Sequence, residues 1–406
     1  MRILYLTPKV PFPPTDGHRL HIWSVVQVLA AEMHEITLVS LARPGESVEE
    51  GSPLRELCKE VDLIPWFPTT YESRDYIKRL LALPSARPFD ASQSVSADCS
   101  NRIRQHLEHQ VFDAVICDMV YILPNLPPGL SVPVAVDTQH VAHGLLQQYL
   151  MHIRNPVKRL YVWMEYSKTR RWEARVCSQV QAVWACSGIE CTFFRQFCPG
   201  VQVMMVPNVI DVGAYHPSPD SDGATVLFSG IMDWYPNQNA VHFFASEMFP
   251  KLRRMVPGVR FRVAGRGGGK EFLRPFAKVP EIEFTGFVQN MRAEIAKAAV
   301  CVVPLRIGSG TRLKILEAAA MAKPIVSTRL GAEGLDFVDG KEILLADEPE
   351  AFARAVAGLL GDASRRRELG RAARRRVEES YSLPVLRTAV RTALAGLTEG
   401  CLVRRR

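Results

Sequence analysis

The stretch VCVVPLRIGSGTRLKILEAAAMAKPIVST, residues 300–328, limits the fold of this chain more than any other. Residues 300–303 form a short apolar run without alternation, as a strand buried on both faces of a parallel sheet requires, and residues 325–328 form a second. Between them Gly308, Ser309 and Gly310 make a loop, Thr311 reads as a helix N-cap, and residues 312–322 read as the helix, which Pro324 stops. A strand, a glycine loop, a helix and a strand in this order place the chain in the α/β class.

The polar residues of that unit point to an anion. Free N–H groups and the dipole at a helix N-terminus favour negative charge. Arg312 and Lys314 add two cations to the same turn, where cations are ordinarily disfavoured, and a phosphate among them accounts for the placement. Glu317 lies one turn beyond Lys314 and, at ~1.5 Å rise per residue, roughly 7 Å along the axis from Arg312. That is about the span from a pyrophosphate to a ribose diol, which a carboxylate binds by accepting two hydrogen bonds. A solvated helix start with a Lys314–Glu317 ion pair is the other reading.

A chain of 406 residues accommodates two large α/β domains. No apolar stretch approaches the ~18–20 residues of a membrane-spanning helix. The opening MRILYLTPKVPFPP reads as a first strand rather than a secretory signal, so a cytoplasmic protein is expected. Nine cysteines occur without CxxC pairs, and no histidine falls among Cys186, Cys191 and Cys198. Reduced, buried thiols are therefore expected, not a zinc site or a disulfide framework. The net charge of +8 suits an acidic partner, and no nucleic-acid-binding motif accompanies it.

In chain order, residues 3–6 begin the first domain. The loop 7–18 carries Gly17 after Asp16, either for a close backbone approach to a ligand or as a simple turn. A helix over 19–31 follows, then strands over 36–40 and 61–64, a polar, proline-containing region 65–88, and a helix over 102–109. Residues 111–117 and 132–136 are further buried strands. His140 stands just past the second of these, where parallel sheets bind ligands, with His143 behind it; a histidine capping the next helix is the alternative. Residues 151–175 are basic and aromatic. They lie on anionic membrane through Arg154, Lys158, Arg159 and Trp163, or form a long helix at the domain edge. In the second half a strand over 224–229 ends at Gly230, and DWYPNQN (233–239) precedes a helix over 240–252. Trp234 and Asn237 line a site there or merely start that helix. The run GRGGGK (265–270) fails the dinucleotide-binding pattern at Lys270 and the P-loop pattern at Glu271. It reads as a flexible loop with Gly265 near a ligand. Residues 282–284 are a strand, residues 365–376 a solvated basic helix, and the last helix runs to about 397.

The stretch GSGTRLKILEAAAMAKPIVST resembles the nucleotide-sugar segment of retaining GT-B glycosyltransferases of family four, and VMMVPNVID (203–211) and AVWACS (182–187) resemble the end of their first domain. The resemblance is strong over 182–361 and partial over 1–181. It implies two Rossmann-like domains facing across a cleft: an acceptor-side domain 1–212, a nucleotide-sugar domain 213–380, and a returning helix and basic tail 381–406. It implies transfer of a hexose from a nucleoside diphosphate sugar to a glycan or lipid-linked acceptor, with retention and without metal or other cofactor. Glu317 then holds the ribose. Arg312 and Lys314 hold the diphosphate in place of an arginine–lysine pair that the family has near 233–239 and this chain lacks. Gly308, Ser309, Gly310, Thr311, Gly230, Trp234, Asn237, Gly265, Phe287 and Val288 border the donor, Asp16 and Gly17 the acceptor, and His140 the donor sugar. Ser309 stands where the common pattern has a glutamate. More narrowly the chain resembles bacterial sugar transferases of exosortase (PEP-CTERM) and exopolysaccharide systems. A nucleotide-sugar 2-epimerase of the same architecture and a non-catalytic nucleotide-sugar-binding protein are the competing readings.

Overall fold

The computed structural model describes residues 1–66, 78–217 and 224–404. The chain divides into two compact units, Met1–Asn208 with Leu386–Arg406, and Val209–Val385. The sequence reading placed these divisions after 212 and after 380.

The first unit is a seven-stranded parallel sheet of β1 (Arg2–Thr7), β2 (Glu35–Ala42), β3 (Glu60–Pro65), β4 (Ala114–Asp118), β5 (Val134–Thr138), β6 (Ala182–Ala185) and β7 (Gln202–Met205), in the order β3-β2-β1-β4-β5-β6-β7. Strands β4, β5 and β6 are buried from end to end, which is why their sequences run apolar without alternation. The order reverses between β1 and β4, and in open parallel sheets the carboxyl ends at such a reversal form the ligand crevice. The helix Leu383–Arg404 returns to this unit. It buries Leu386, Val390, Ala393 and Leu397, one stripe at helical spacing.

The second unit repeats the plan with β8 (Thr225–Ser229), β9 (Arg260–Ala264), β10 (Ile282–Phe284), β11 (Val300–Val303), β12 (Ile325–Ser327) and β13 (Leu344–Leu345), ordered β10-β9-β8-β11-β12-β13. Its core is aromatic: Phe244, Phe249, Phe261 and Phe352 are buried, with the rings of Phe244 and Phe261 4.4 Å apart. Burial of each such side chain contributes about 1.5–3 kcal/mol.

Several local expectations are corrected. The helix expected over 240–252 begins earlier, as Tyr235–Phe243, because Pro236 in a first turn gives up no needed N–H donor. It continues through a π-helical turn, Phe244–Met248, into Phe249–Met255. Pro250 has no N–H for the carbonyl one turn back, and the wider turn absorbs that mismatch. The glycine run is not simply a flexible loop, since Gly269–Leu273 is a short helix. In the region 65–88, residues 78–81 are helical, and residues 67–77 lie outside the described residues. The basic helix Ala363–Ser380 is not only a solvated face. Arg366 is buried and donates to the carbonyls of Leu359 and Leu360, both at 2.8 Å, closing the end of the preceding helix Pro349–Gly361. Arg374 donates to Tyr215 O at 2.7 Å and to Ala320 O, and Arg376 pairs with Glu342 at 3.0 Å.

Candidate functional site

At the carboxyl edge of the second sheet, the turns after β8, β9 and β11 meet through glycines. Gly230 leaves β8 with φ +159°, and a Cβ there would lie 2.8 Å from Asn237 Nδ2 and 3.0 Å from Lys314 Nζ. Gly265 leaves β9 with φ +141°, and its Cβ would lie 1.8 Å from Gly230 O. No side chain fits at either position. Gly265 in turn donates its N–H to Gly286 O at 3.2 Å.

Lys314 fastens the two central turns. Its Nζ donates to Asn237 Oδ1 at 2.9 Å and lies 3.9 Å from the centre of the Phe228 ring, while Asn237 Nδ2 donates to Ile231 O at 2.9 Å. Burial, and then the neighbouring Arg312 guanidinium, bring the Lys314 ammonium down to about 7, with Glu317 opposing. Burial and the second cation thus outweigh the one carboxyl nearby. The Lys314–Glu317 ion pair of the competing reading does not form: Glu317 Oε1 instead accepts from Tyr215 OH at 3.2 Å. Burial raises the Glu317 carboxyl, against the Tyr215 bond and the Lys314 charge. Tyr215 is raised by burial and by Glu317, and it lies under Arg292, whose guanidinium carbon is 5.5 Å from the ring centre.

The start of this helix is also corrected. The helix is Leu313–Ala320 and its N-cap is Arg312, not Thr311. Arg312 is buried; its guanidinium folds back on the loop, donating to Ser309 O at 2.6 Å and to Gly310 O. Gly308, at φ +150°, leaves room for it, since a Cβ there would lie 2.8 Å from Nη2. The helix ends before Pro324. Ala322 takes φ +56°, and Lys323 N and Ala322 N bond to Ala318 O and Ala319 O at 2.9 and 2.8 Å, a Schellman closure. Arg312 is thus tied to the Gly308–Gly310 loop, Arg312 and Glu317 act on Lys314 through charge, and Gly230, Gly265, Asn237 and Lys314 share one contact network. Trp234 and Phe287 stand at its rim, 49% and 66% exposed, with Val288 half-buried.

The corresponding edge of the first sheet carries different chemistry. Asp16 caps the helix Gly17–Ala31 by accepting from Arg19 N at 3.0 Å, and it pairs with Lys9 at 3.7 Å. Gly17 opens that helix. From its first two turns His18 Nε2 reaches Asp118 Oδ2 at 2.5 Å, and His21 Nε2 reaches Asp137 Oδ2 at 2.9 Å. Gln139 Nε2 donates to Asp118 Oδ1 at 3.0 Å. Burial opposes both charges of the His21–Asp137 pair. For His21, the Asp137 and Asp118 carboxylates outweigh it and raise the imidazole above its ordinary value. The sequence reading missed these two pairs, although each of the two buried strands carries an aspartate in its last two residues and the two histidines sit three residues apart. His140 is half-buried in the turn after β5, and its carbonyl accepts from Thr138 Oγ1 at 2.8 Å. His143 is a packing residue: its Nδ1 lies 2.6 Å from Glu173, which also accepts from Ala142 N at 2.9 Å, and its ring lies 4.9 Å from that of Phe197.

Among the described residues no three His, Cys, Asp or Glu side chains gather as metal ligands do. Eight described cysteines are buried and form no disulfide.

Residues 223–362 match the family model described as glycosyl transferases group 1. An uncharacterized 44.6 kDa protein in the cps region of Klebsiella pneumoniae is 21% identical over 394 residues, covering 94% of this chain and 96% of the relative. Sucrose-phosphate synthase from Thermosynechococcus elongatus superposes with a TM-score of 0.74 at 16% identity, covering 98% of this chain and 99% of that one. HepE of Anabaena, in complex with UDP-glucose, superposes with a TM-score of 0.66 at 12% identity, covering 97% and 99%.

Proposed function

Because the chain is a glycosyltransferase of the GT-B fold, with a group 1 glycosyl transferase domain in its second unit, we propose that it moves a hexose from a nucleoside diphosphate sugar to a glycan or lipid-linked acceptor, with retention and without a metal, in exopolysaccharide biosynthesis. The observation that carries this reading is the desolvated Lys314 ammonium beside Arg312 at the reversal of the second sheet, with Glu317 one turn further on. An anion there relieves the repulsion between the two cations. The donor's diphosphate lies on Lys314, Arg312 and the Gly308–Thr311 loop, and its ribose lies on Glu317. As the glycosidic bond breaks, negative charge grows on the diphosphate, and fixed cations stabilise that charge without reorganising. Arg312 and Lys314 supply the positive charge that a metal brings in other transferases. Trp234, Asn237, Gly230, Gly265, Phe287 and Val288 complete the donor side; Asp16, Gly17 and His140 act toward acceptor and sugar. The UDP-glucose bound by HepE and the cps-region relative support the donor class and the pathway class.

The test is transfer from a panel of nucleoside diphosphate sugars to a lipid-linked acceptor in the presence of a chelator, with the product's anomeric configuration read by NMR. An inverted product overturns retention. Turnover lost with chelator and restored by a divalent cation overturns metal independence. Isomerised donor without any transfer revives the epimerase.

A further inference from the structure

The helix Pro156–Cys177 has two opposed stripes. Val162, Glu165, Thr169, Trp172 and Glu173 recur at helical spacing and are buried against the first unit. Leu160, Trp163, Ser167, Arg170, Arg171 and Ala174 recur on the other side. At the start of this outer stripe the apolar residues are bare: Val157 is 76% exposed, Leu160 58% and Trp163 54%. Met151 just before the helix is 73% exposed, and Leu80 and Leu81 are 61% and 75% exposed. Their segment is held to the helix by Lys168 Nζ donating to Ala82 O at 3.1 Å and Phe89 N donating to Glu165 Oε2 at 2.9 Å. Large apolar side chains gathered on one surface mark an interaction site.

The charge on this face has one sign. Arg154, Lys158, Arg159, Arg170 and Arg171 are exposed. The two acids of residues 151–177, Glu165 and Glu173, are buried and engaged, Glu165 with Lys168 at 3.1 Å and Glu173 with His143 at 2.6 Å. Beside the second half of the outer stripe a cavity of about 330 Å³ is lined by Tyr166, Ser167, Arg170, Arg171, Ala174 and Phe197. Two guanidinium forks over an aromatic floor suit a phosphate group.

We infer that this face seats on a bilayer containing anionic phospholipid. Leu160 and Trp163 enter the boundary between headgroups and acyl chains, and Arg170 and Arg171 take a lipid phosphate at the cavity. Bare leucine and tryptophan have nothing to gain from a soluble polyanion, and a purely basic face repels a second copy of itself. Apolar insertion combined with cations against anionic headgroups is the way interfacial helices bind. Among the described residues no helix is long and apolar enough to cross a membrane, so this contact lies on the surface. The inference is independent of the transferase reading, because it concerns binding without donor or acceptor.

The experiment is co-sedimentation of the full chain with vesicles of phosphatidylcholine, with and without phosphatidylglycerol. The anionic vesicles are expected to bind at least about tenfold tighter, less so as salt is raised. Brominated lipid is expected to quench tryptophan fluorescence, and Trp163→Phe to lose that quenching. Leu160→Ser with Trp163→Ser is expected to weaken binding by at least about tenfold, and Arg170→Ala and Arg171→Ala by about fivefold each. All four positions are accessible, so an unchanged thermal midpoint accompanies these losses. No preference for anionic vesicles, or wild-type binding by the Leu160/Trp163 variant, overturns the proposal. So does complete displacement by heparin without any quenching, which would leave a charge-only polyanion site.

Discussion

Both sheets reverse their strand order between the first strand of the unit and the fourth, β1 and β4 in one and β8 and β11 in the other. What stands at the two reversals is opposite in kind. In the first unit, Asp118 and Asp137 stand at the ends of β4 and β5, and His18 and His21 reach them from the helix that follows β1, so the carboxylates already have partners. In the second unit, glycines end the strands β8 and β9, and two cations crowd the turn after β11 with a suppressed ammonium. At one edge the carboxylates are paired with histidines, and these groups position one another. The other, on the proposed reading, is built to receive a charge from outside. A shared backbone plan thus carries a paired histidine–carboxylate network in one half and the proposed anion site in the other, and the residues at the strand ends and in the loops set the difference.

The contrast breaks first, and with the largest effect, at the paired edge. Asp137→Ala leaves His21 buried without its carboxylate and is expected to cost the first unit ~3–5 kcal/mol, read by denaturant unfolding. Because His21 is raised in the folded chain, its contribution is complete below the ordinary histidine value near ~6.5. The contribution fades as pH rises through the folded value. A loss below ~1 kcal/mol at pH 6 would mean that the pair does not hold the edge together.

At the other edge the effects fall on binding. Arg312→Ala and Lys314→Ala are each expected to weaken nucleoside diphosphate binding by ~1.5–3 kcal/mol, the value of a charge-assisted hydrogen bond. Titration calorimetry checks this, and unchanged affinity in both folded variants removes the diphosphate from this site. With Lys314 lowered to about 7, an arriving anion raises it again. Binding above pH 7 is therefore expected to take up a proton, visible as a heat that depends on buffer ionisation and absent in Lys314→Met.

Smaller still is Glu317→Gln. It is expected to cost ~1 kcal/mol with a ribonucleotide and little with its 2′,3′-dideoxy analogue; equal losses would leave Glu317 only its bond to Tyr215. The smallest expected effect on affinity belongs to His140→Ala. It cuts single-turnover transfer while holding diphosphate affinity within about threefold, or ~0.7 kcal/mol. Near wild-type transfer would remove His140 from the site.

The sequence showed these edges unequally. Residues 300–303 and 325–327 were legible as strands because an unbroken apolar run of that length, bounded by glycine and proline, suits a buried parallel strand. The spacing of Arg312, Lys314 and Glu317 was legible because all three lie within about two turns of one helix. Their partners were not. Tyr215 stands 102 residues from Glu317, Asn237 stands 77 from Lys314, and Asp137 stands 116 from His21. The Thr311 cap failed for a related reason. A threonine hydroxyl is the usual cap, but the Arg312 guanidinium binds the carbonyls of the glycine loop, and that draws the helix start one residue on. Arg366 and Arg374 were read as solvated because a basic helix shows its charge in sequence but not the carbonyls that its side chains reach.

The returning helix has a consequence for the order in which the protein is made. The first unit is sewn from both ends of the chain, with the second unit complete between them. On the ribosome, Val209–Val385 has its whole sequence in hand before the first unit has its last stripe of side chains. Until Leu386, Val390, Ala393 and Leu397 arrive, the surface they cover stays open to water. The earlier-synthesised unit is therefore the later one to be finished, and a chain cut short near 385 loses part of the fold it began with, not the one it ended on.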